Sequence, residues 1–218
     1  MKKYSVIIPA SGNSNRFDYP VDKIFYKIKN ELVIKHTINA FLYDEQCNKI
    51  ILTANEKTFS KLKQIFSLYS KVLVVYGGST RNESIRQAVT YLDKNNQYVL
   101  IHDAARPYVL EETINSVKNE IFSDEYDAIT TYIDIYDSLV KLDDEQIEYV
   151  NRDKFKIIQT PQAFKQKILI KALNTFNEIT YNDEFSLVKK LDNIKTKLIL
   201  GSRSNIKITV IDDVPPEF

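Results

Sequence analysis

Short runs of apolar, β-branched residues alternate along the chain with segments in which apolar residues recur every three or four positions. The runs predict buried strands at residues 4–8, 49–53, 71–76 and 98–102. The segments between them predict amphipathic helices at residues 31–43, 57–68 and 82–92. Because strands and helices take turns, the pattern predicts an α/β fold with a largely parallel sheet flanked by helices.

The pattern changes after residues 127–133. Two strand-like segments, at 138–142 and 147–150, then flank a polar tip, which predicts a hairpin. Since the hairpin is too polar for the centre of a sheet, we expect it to project as an arm at about residues 134–157. An edge hairpin without a role fits the pattern equally well. The remaining predicted elements are helices at 165–176 and 183–191 and a strand at 195–200.

Composition limits the classes of protein that this chain can belong to. Its 218 residues, 44% hydrophobic and 27% charged, are enough to bury a core without a disulfide or a structural metal. With no repeat or linker, we expect one domain over residues 1–218. The 30 basic and 29 acidic side chains give a net charge of +1, which argues against a nucleic-acid partner. The single Cys47 excludes an internal disulfide and a cysteine zinc site.

Neither a targeting signal nor a membrane span is predicted. The apolar run near the N-terminus has five residues and stops at Pro9, which is too short for the core of a signal peptide. No stretch approaches the roughly 20 apolar residues of a membrane-spanning helix. We therefore expect a cytoplasmic protein without a membrane partner.

Glycine is scarce, and its positions point to the ends of the predicted strands. The chain has four glycines, whereas average usage would give about fifteen. We expect glycine to be retained where no other residue fits. In parallel sheets, ligands bind beyond the carboxyl ends of the strands. Three of the glycines follow predicted strands there, and the four are Gly12, Gly77, Gly78 and Gly201.

The loop after the first strand, P-A-S-G-N-S-N-R, is built to approach a phosphate or a base through its backbone amides. Asn13 and Asn15 tolerate positive φ and can stand in for further glycines. Arg16 and Lys23 would bring positive charge to a triphosphate. The loop lacks the P-loop and dinucleotide fingerprints, which disfavours a kinase-like NTPase or a dehydrogenase. An ordinary turn is the alternative.

Two more loops follow strands. The paired glycines at 77–78 permit close approach, and Ser84 in the next helical turn could bind a ligand edge, whereas Thr80 or Asn82 could simply cap the helix. After residue 101, Asp103 suits a Mg²⁺ ligand beside phosphates, or an ion pair with Arg106 that pins the loop. We interpret His102 as a hydrogen-bonded structural residue.

A final segment, G-S-R-S-N-I-K-I-T at residues 201–209, alternates like a strand and would place Asn205 and Lys207 on one side. A lone lysine on a terminal strand usually protects an edge.

Three blocks occur in a fixed order: H-D-A-A-R-P at 102–107, Q-T-P-Q-A-F at 159–164 and N-I-K-I-T at 205–209. In order and spacing the chain resembles the 2-C-methyl-D-erythritol 4-phosphate cytidylyltransferases of the non-mevalonate isoprenoid pathway, from Pro9 to Thr209. The resemblance implies a mixed, Rossmann-like sheet with a β-arm that exchanges contacts across a homodimer. It also implies that CMP passes from CTP to a sugar-alcohol phosphate, 2-C-methyl-D-erythritol 4-phosphate, with Mg²⁺ or another divalent cation.

The resemblance assigns roles position by position. The catalytic residues are Arg16, Lys23 and Lys207. The nucleotide-binding residues are Pro9, Ala10, Ser11, Gly12, Gly78, Ser79, Ser84, Asp103 and Ala104, and Asp103 also positions the metal. The acceptor-binding residues are Arg106, Ser138, Arg152, Thr160 and Asn182. Of these, Ser138 and Arg152 would reach the substrate of the neighbouring subunit.

The chain departs from the family pattern at three places. Asp22 precedes Lys23 where the family has proline, and we expect its negative charge to alter the local geometry. Asn182 and Ser138 stand where threonine is usual. Both touch the acceptor side, which keeps a related cytidylyltransferase of ribitol 5-phosphate or another polyol phosphate as an alternative.

Two features weigh against the alternatives. The ribitol relatives typically have H-D-S-V-R-P where this chain has Ala104 and Ala105, which favours the methylerythritol acceptor. A non-catalytic nucleotide-binding protein of the same fold is the alternative of another class. It would have no need to retain the four charged positions that the chain keeps together, Arg16, Lys23, Asp103 and Lys207.

Overall fold

The computed structural model describes residues 1–12, 16–143, 146–177 and 181–215. Asn13, Asn15 and the hairpin tip at 144–145 lie outside the described residues. The described strands are β1 (Tyr4–Pro9), β2 (Lys27–Ile28), β3 (Glu31–Leu32), β4 (Cys47–Ala54), β5 (Val72–Tyr76), β6 (Tyr98–Ile101), β7 (Ala128–Asp134), β8 (Leu139–Asp143), β9 (Gln146–Val150), β10 (Lys156–Lys165) and β11 (Thr196–Leu200). The helices are α1 (Val33–Leu42), α2 (Glu56–Ile65), α3 (Arg81–Ala88), α4 (Glu111–Phe122), α5 (Gln166–Thr175) and α6 (Glu184–Val188). Short 3-10 turns lie at Lys23–Phe25, Val89–Tyr91, Arg152–Lys154 and Ile211–Asp213.

Seven strands form one sheet in the order β11-β7-β10-β6-β1-β4-β5. All neighbouring pairs are parallel except the two that β10 makes, with β6 and with β7. This mixed, largely parallel sheet confirms the predicted Rossmann-like α/β fold. None of the helices in the described ranges is long and apolar enough to span a membrane.

Alternation along the central strands places helices on both faces of the sheet. In β1, Val6 and Ile8 point to one face, where they pack in a cluster with residues of α1, α2 and α4. Ile7 points to the other face and packs with residues of α3, α5 and α6. All three side chains are fully buried. The residues of β1 read as a continuous apolar run because both of its faces are covered.

The strand order creates a crevice at the carboxyl end of β1. From β1 the chain proceeds outward to β4 and β5, and it then returns to β6 on the other side of β1. This reversal is the topological switch point at which α/β sheets bind ligands. The loops that follow β1, β5 and β6 therefore meet at the edge where sequence analysis placed the candidate chemistry.

Two of the longer elements, α4 and β10, were not predicted, because polar residues occupy buried positions in them. In α4, the buried stripe of Ile114, Val117 and Ile121 includes Lys118, whose ammonium lies 2.5 Å from Asp44 Oδ2. In β10, the polar block around Pro161 argued against a central strand. The register with β7 shifts between Gln159 and Gln162, so the proline sits in an irregularity of the strand pairing.

The prediction of a strand at 201–209 is wrong, because the structure has no strand at these residues. Its backbone instead contacts the loop after β6: Ile208 N donates to Ala105 O (2.8 Å), and Arg106 Nη1 donates to Asn205 O (2.7 Å). Asn205 is fully buried, whereas Lys207 is exposed. The two side chains thus do not share one side of a strand.

The predicted hairpin is confirmed. Strands β8 and β9 form a separate antiparallel pair, with Leu139 opposite Val150. Its bounds differ by a residue or two from those predicted. Four large apolar side chains on one face of the pair are exposed, and they are Val140, Leu142, Ile147 and Tyr149.

Candidate active site

Two adjoining cavities open at the carboxyl end of the sheet. The first, of about 180 Å³, follows β1 and is called the β1 cavity. The second, of about 150 Å³, lies beside β10 and is called the β10 cavity. Arg81, Asp103 and Lys207 line both cavities. The boundary between the two therefore carries an acidic side chain among cations.

Asp103 is the centre of this boundary. Its carboxylate is 8% exposed and lies 3.0 Å from Lys207 Nζ, 3.2 Å from Arg106 Nε and 3.6 Å from Arg81 Nε. Burial alone would raise the pKa of Asp103, but Lys207, Arg81 and Arg106 together hold it well below its usual range. The carboxylate is therefore ionised at neutral pH and fixes the cations around it.

The loop after β6 is tied to two distant segments. The backbone N of Asp103 donates to Thr160 Oγ1 (3.1 Å), and Asn205 Nδ2 donates to Thr160 O (2.7 Å). Because Arg106 also bonds the backbone of residue 205, the loop, β10 and the C-terminal segment are joined by hydrogen bonds on all sides. These bonds set the position of Lys207 relative to Asp103.

His102 is structural, as expected from the sequence. It is fully buried, its Nδ1 lies 3.0 Å from Thr160 Oγ1 and its Nε2 lies 3.1 Å from Arg106 O. Because Thr160 Oγ1 accepts from Asp103 N, its hydroxyl proton is free to go to Nδ1, and Nε2–H then donates to the carbonyl. Burial lowers the pKa of His102 to about 4, so the ring is neutral at pH 7.

This burial makes stability depend on pH. The unfolded chain protonates His102 below about pH 6.5, whereas the folded chain does so only near pH 4, so stability falls as pH drops through that window. At pH 5 the loss is about 2 kcal/mol relative to pH 7.5. We expect His102→Gln to remove this part of the dependence in urea unfolding at the two pH values. An unchanged pH difference in the variant would contradict the assignment.

Lys23 and Arg16 line the β1 cavity. The lysine lies in a 3-10 turn capped by Asp22, whose Oδ1 accepts a hydrogen bond from Ile24 N (3.2 Å). Asp22 thus helps to hold the turn that presents Lys23, which is the local effect of this departure from the family pattern. Burial, followed by the neighbouring charges of Lys207 and Arg16, lowers the pKa of Lys23.

The loop after β5 packs closely on the loop after β1. A Cβ on Gly77 would lie 2.6 Å from Ser11 Oγ, and one on Gly78 would lie 2.2 Å from Glu83 Cβ, so larger residues do not fit. Ser84 Oγ lies 2.5 Å from Ser11 Oγ and donates to Thr80 O (2.7 Å). A side chain at Gly77 would collide with the loop after β1, and one at Gly78 would collide with Glu83 in the first turn of α3.

Most of the predicted site residues lie around the two cavities. The β1 cavity is lined by ten of them: Pro9, Ala10, Ser11, Gly12, Arg16, Lys23, Ser79, Asp103, Ala104 and Lys207. The β10 cavity adds Arg106, Thr160 and Asn182.

Four predicted residues line neither cavity, and they are Gly78, Ser84, Ser138 and Arg152. Ser84 is fully buried behind the β1 cavity, where Gly78 N donates to its hydroxyl (3.1 Å). Ser138 and Arg152 are exposed beside the arm, and the Arg152 guanidinium donates to Tyr136 O. Their roles stay predictions.

Sequence reasoning did not assign a role to Arg81 or Glu184. Arg81 begins α3 after Thr80, which is the N-cap and forms a capping box with Glu83. A cation in the first turn of a helix is unfavourable because the helix dipole is positive there. That misfit was the available signal that Arg81 has a partner elsewhere in the fold.

A metal ion at the boundary would meet the carboxylate of Asp103, which lines both cavities, whereas Asp183 lines the β10 cavity alone. Within the described ranges, no group of three or more His, Cys, Asp or Glu side chains is placed to hold a metal. Mg²⁺ in phosphate-transfer sites is bound by one or two carboxylates together with substrate phosphates. Asp103, surrounded by cations that attract phosphate, fits a cation that arrives with a polyphosphate.

The fold and these cavities define a class: a nucleotide-handling α/β enzyme whose switch point gathers cations around one buried carboxylate. The family model described as 2-C-methyl-D-erythritol 4-phosphate cytidylyltransferase matches residues 4–215, and the chain belongs to this family. It is therefore a nucleotidyltransferase, which confirms the class expected from the sequence and removes the non-catalytic alternative.

Individual relatives agree. The 2-C-methyl-D-erythritol 4-phosphate cytidylyltransferase of Bacillus cytotoxicus is 33% identical, over 97% of this chain and 94% of the relative. The crystal structure of 4-diphosphocytidyl-2C-methyl-D-erythritol synthase from Anaerococcus prevotii matches with a TM-score of 0.85 and 28% identity, over 98% of this chain and 95% of that one. The cytidylyltransferase of Francisella tularensis matches with a TM-score of 0.80 and 26% identity, over 98% and 97% of the two chains.

Proposed function

We propose that this chain transfers CMP from CTP to 2-C-methyl-D-erythritol 4-phosphate, releasing pyrophosphate and forming 4-diphosphocytidyl-2-C-methyl-D-erythritol for isoprenoid precursor synthesis. The observation that carries the proposal is the Asp103 boundary, where one buried carboxylate contacts Lys207 and Arg81, which line both cavities, and Arg106, which lines the β10 cavity. Two phosphate-bearing substrates that must react with each other need such a shared boundary. We place the whole of residues 1–218 in one nucleotidyltransferase domain and, since CTP is its substrate, in the cytoplasm.

CTP occupies the β1 cavity in this proposal. The backbone of residues 9–12, together with Gly78, Ser79 and Ala104, surrounds the base and ribose, and Ser84 supports the base side from behind. Main-chain groups would read the Watson–Crick edge of a pyrimidine, and a purine would collide. Arg16 and Lys23 hold the triphosphate, because both are cations that line this cavity.

The acceptor occupies the β10 cavity, with its phosphate against Arg106, Thr160 and Asn182. A phosphate oxygen of the acceptor attacks the α-phosphorus of CTP, and the bond from that phosphorus to the leaving pyrophosphate breaks in line. A phosphate monoester is already largely dianionic at pH 7, so the step needs no general base. The chain's task is to align the two phosphates and to neutralise the charge of the transition state, with Lys207 at the boundary.

Asp103 would hold Mg²⁺ or another divalent cation that enters with CTP. When bound, the cation supplies further neutralisation of phosphate charge. The protein's own contribution is an ionised carboxylate that three neighbouring cations keep deprotonated.

We further propose that the chain works as a homodimer through its arm. The exposed apolar face of β8 and β9 has no partner among the described residues, and contiguous exposed apolar side chains are typical of interaction surfaces. In a dimer this face would be covered. Ser138 and Arg152, which are exposed beside the arm, would then reach the acceptor site of the partner.

The dimer proposal predicts complementation between two inactive variants. In the proposed dimer, each site takes Lys207 from one chain and Arg152 from the other. Arg152→Ala and Lys207→Ala therefore remove the contributions of different chains to a site. Unfolding them together and refolding the mixture should recover about a quarter of the wild-type activity, because half of the dimers are mixed and each has one intact site. No recovery from a mixture that light scattering shows to be dimeric would contradict the contribution in trans.

Pyrophosphate release tests the reaction itself. The purified chain is supplied with CTP, Mg²⁺ and one acceptor at a time, and turnover is expected with 2-C-methyl-D-erythritol 4-phosphate. Ribitol 5-phosphate is the matched control acceptor, since it also carries a primary phosphate on a polyol. Release with ribitol 5-phosphate alone would overturn the proposed acceptor, and binding of CTP without release from any acceptor would overturn the reaction.

A further inference from the structure

A buried ion pair joins the two loops that border the cavities. Arg81 Nη1 lies 2.7 Å from Glu184 Oε1 and 2.8 Å from Oε2. Glu184 is fully buried, and the Arg81 side chain is 27% exposed. The two residues are 103 positions apart, so the contact exists only in the folded chain.

Each partner begins a helix whose preceding loop lines a cavity. Arg81 is the first residue of α3, after the loop at 77–80 that borders the β1 cavity. Glu184 is the first residue of α6, after Asn182 and Asp183, which line the β10 cavity. The pair therefore fixes the distance between the loop on the nucleotide side and the loop on the acceptor side.

Arg81 also contacts the boundary itself. Its Nε lies 3.6 Å from Asp103 Oδ1, and its side chain lines both cavities. A guanidinium has a planar fork of donors, so one group can bind Glu184 and face Asp103 in a fixed orientation. Arg81 thus connects three segments: the loop after β5, the loop after β6 and the start of α6.

Stability alone does not explain this pair. Burial raises the pKa of Glu184 and opposes its charge, and Arg81 counteracts that effect. Well-packed apolar residues in place of a buried ion pair are often as stable or more stable. A cation at the start of α3 is also unfavourable toward the helix dipole. The geometry, which spans both cavities, offers a reason for retaining the charges.

We propose that Arg81 and Glu184 are positioning residues for the transfer, which hold the nucleotide loop and the acceptor loop in the alignment that in-line attack requires. The inference rests on the proposed function. Neither residue needs to contact a reacting atom: Glu184 orients Arg81, and Arg81 orients Asp103 and the two loops. Because small displacements of aligned reactants are costly, the pair acts on kcat more than on the binding of either substrate.

The double variant Arg81→Met/Glu184→Met tests the proposal without leaving a buried charge unpaired. We expect its thermal midpoint to stay near that of the wild type and its Kd for CTP with Mg²⁺ to change less than about threefold. Its kcat with 2-C-methyl-D-erythritol 4-phosphate should fall by about 10–100-fold. The matched control is Lys118→Met/Asp44→Met, which removes both members of a buried ion pair away from both cavities and should leave kcat unchanged.

Two outcomes would overturn the positioning role. One is a kcat within twofold of the wild-type value in the double variant. The other is a loss of CTP affinity that accounts for the whole change in kcat/KM, since Arg81 would then be a nucleotide-binding residue.

A second measurement does not depend on turnover and separates this inference from the proposed function. Amide hydrogen exchange of the peptide covering 181–188 is followed with and without CTP and Mg²⁺. We expect CTP to slow this exchange in the wild type, because the pair transmits ordering of the nucleotide loop, and to leave it unchanged in the double variant. Equal protection in both proteins at saturating CTP would overturn the inference, even if the acceptor proved to be a different polyol phosphate.

Discussion

Lys207→Ala should lower kcat by about 10²–10³-fold, because it removes one preorganised cation from the boundary between the two substrates. The Lys207 ammonium lies 3.0 Å from Asp103 and lines both cavities. It is held there by the backbone, since Ile208 N bonds Ala105 O. A charge fixed before the substrates arrive costs no reorganisation in the transition state, which is why its loss is expected to act on the chemical step.

The effect should fall on kcat more than on the KM for CTP. Arg16 and Lys23 remain to hold the triphosphate in the ground state, whereas Lys207 faces the charge that develops between the phosphates. Steady-state kinetics of pyrophosphate release, with each substrate varied in turn, measure the split. Arg16→Ala is expected to lower kcat by a similar factor of about 10²–10³.

The matched control is Lys197→Ala. Lys197 is also a lysine in an ion pair, 2.7 Å from Glu120, but it lies on the edge strand β11 and lines neither cavity. We expect it to keep wild-type turnover. Near-normal kcat in Lys207→Ala, with the control equally active, would refute the role given to Lys207.

The pattern of apolar residues within short segments predicted those strands whose side chains are almost all apolar. The apolar runs of β1, β4 and β6 lie inside the sheet and are largely buried on both faces, so their identity as central strands is visible in any short window. Strand β10 is also central, but it contains a polar block around Pro161 that lines the site and lies at a shift in the strand register. A short stretch of sequence does not show that such a block belongs to a central strand. Helix α4 was missed for a similar reason, since Lys118 occupies its buried stripe.

The contacts of the candidate site likewise fall into two groups, those within one short block of sequence and those between distant segments. Asp103 and Arg106 lie in one short block, and their ion pair was one of the two readings of that block. The distance from Lys207 to Asp103 depends instead on how the C-terminal segment binds the loop after β6. The Arg81–Glu184 pair depends on how the fold brings the first residues of α3 and α6 together. Residues about a hundred positions apart come into contact only in the folded chain. The sequence motifs alone therefore predict neither Arg81 nor Glu184 as a member of this pair.

Asp103→Asn is the second change for which we expect a large effect. The amide keeps the size of the side chain but removes the negative charge that pairs with Lys207 and Arg106 and that Arg81 also faces. Lys207 and Arg106 would then lose their ion-pair partner, while Arg81 keeps Glu184, and the proposed metal would lose its carboxylate. We expect kcat to fall by about 10²–10³-fold and the Mg²⁺ concentration for half-maximal rate to rise.

The same change should also destabilise the fold, and a control separates the two effects. Removing one member of a buried charge network costs about 3–5 kcal/mol, measured here by urea unfolding at pH 7.5. Asp44→Asn removes the carboxylate that pairs with the buried Lys118, outside both cavities, and should cost stability with little effect on kcat. If Asp103→Asn lost only as much activity as Asp44→Asn at equal folded fraction, its carboxylate would be a structural group and not part of the transfer. A larger loss, accompanied by a raised Mg²⁺ requirement, would place the charge of Asp103 in the reaction itself.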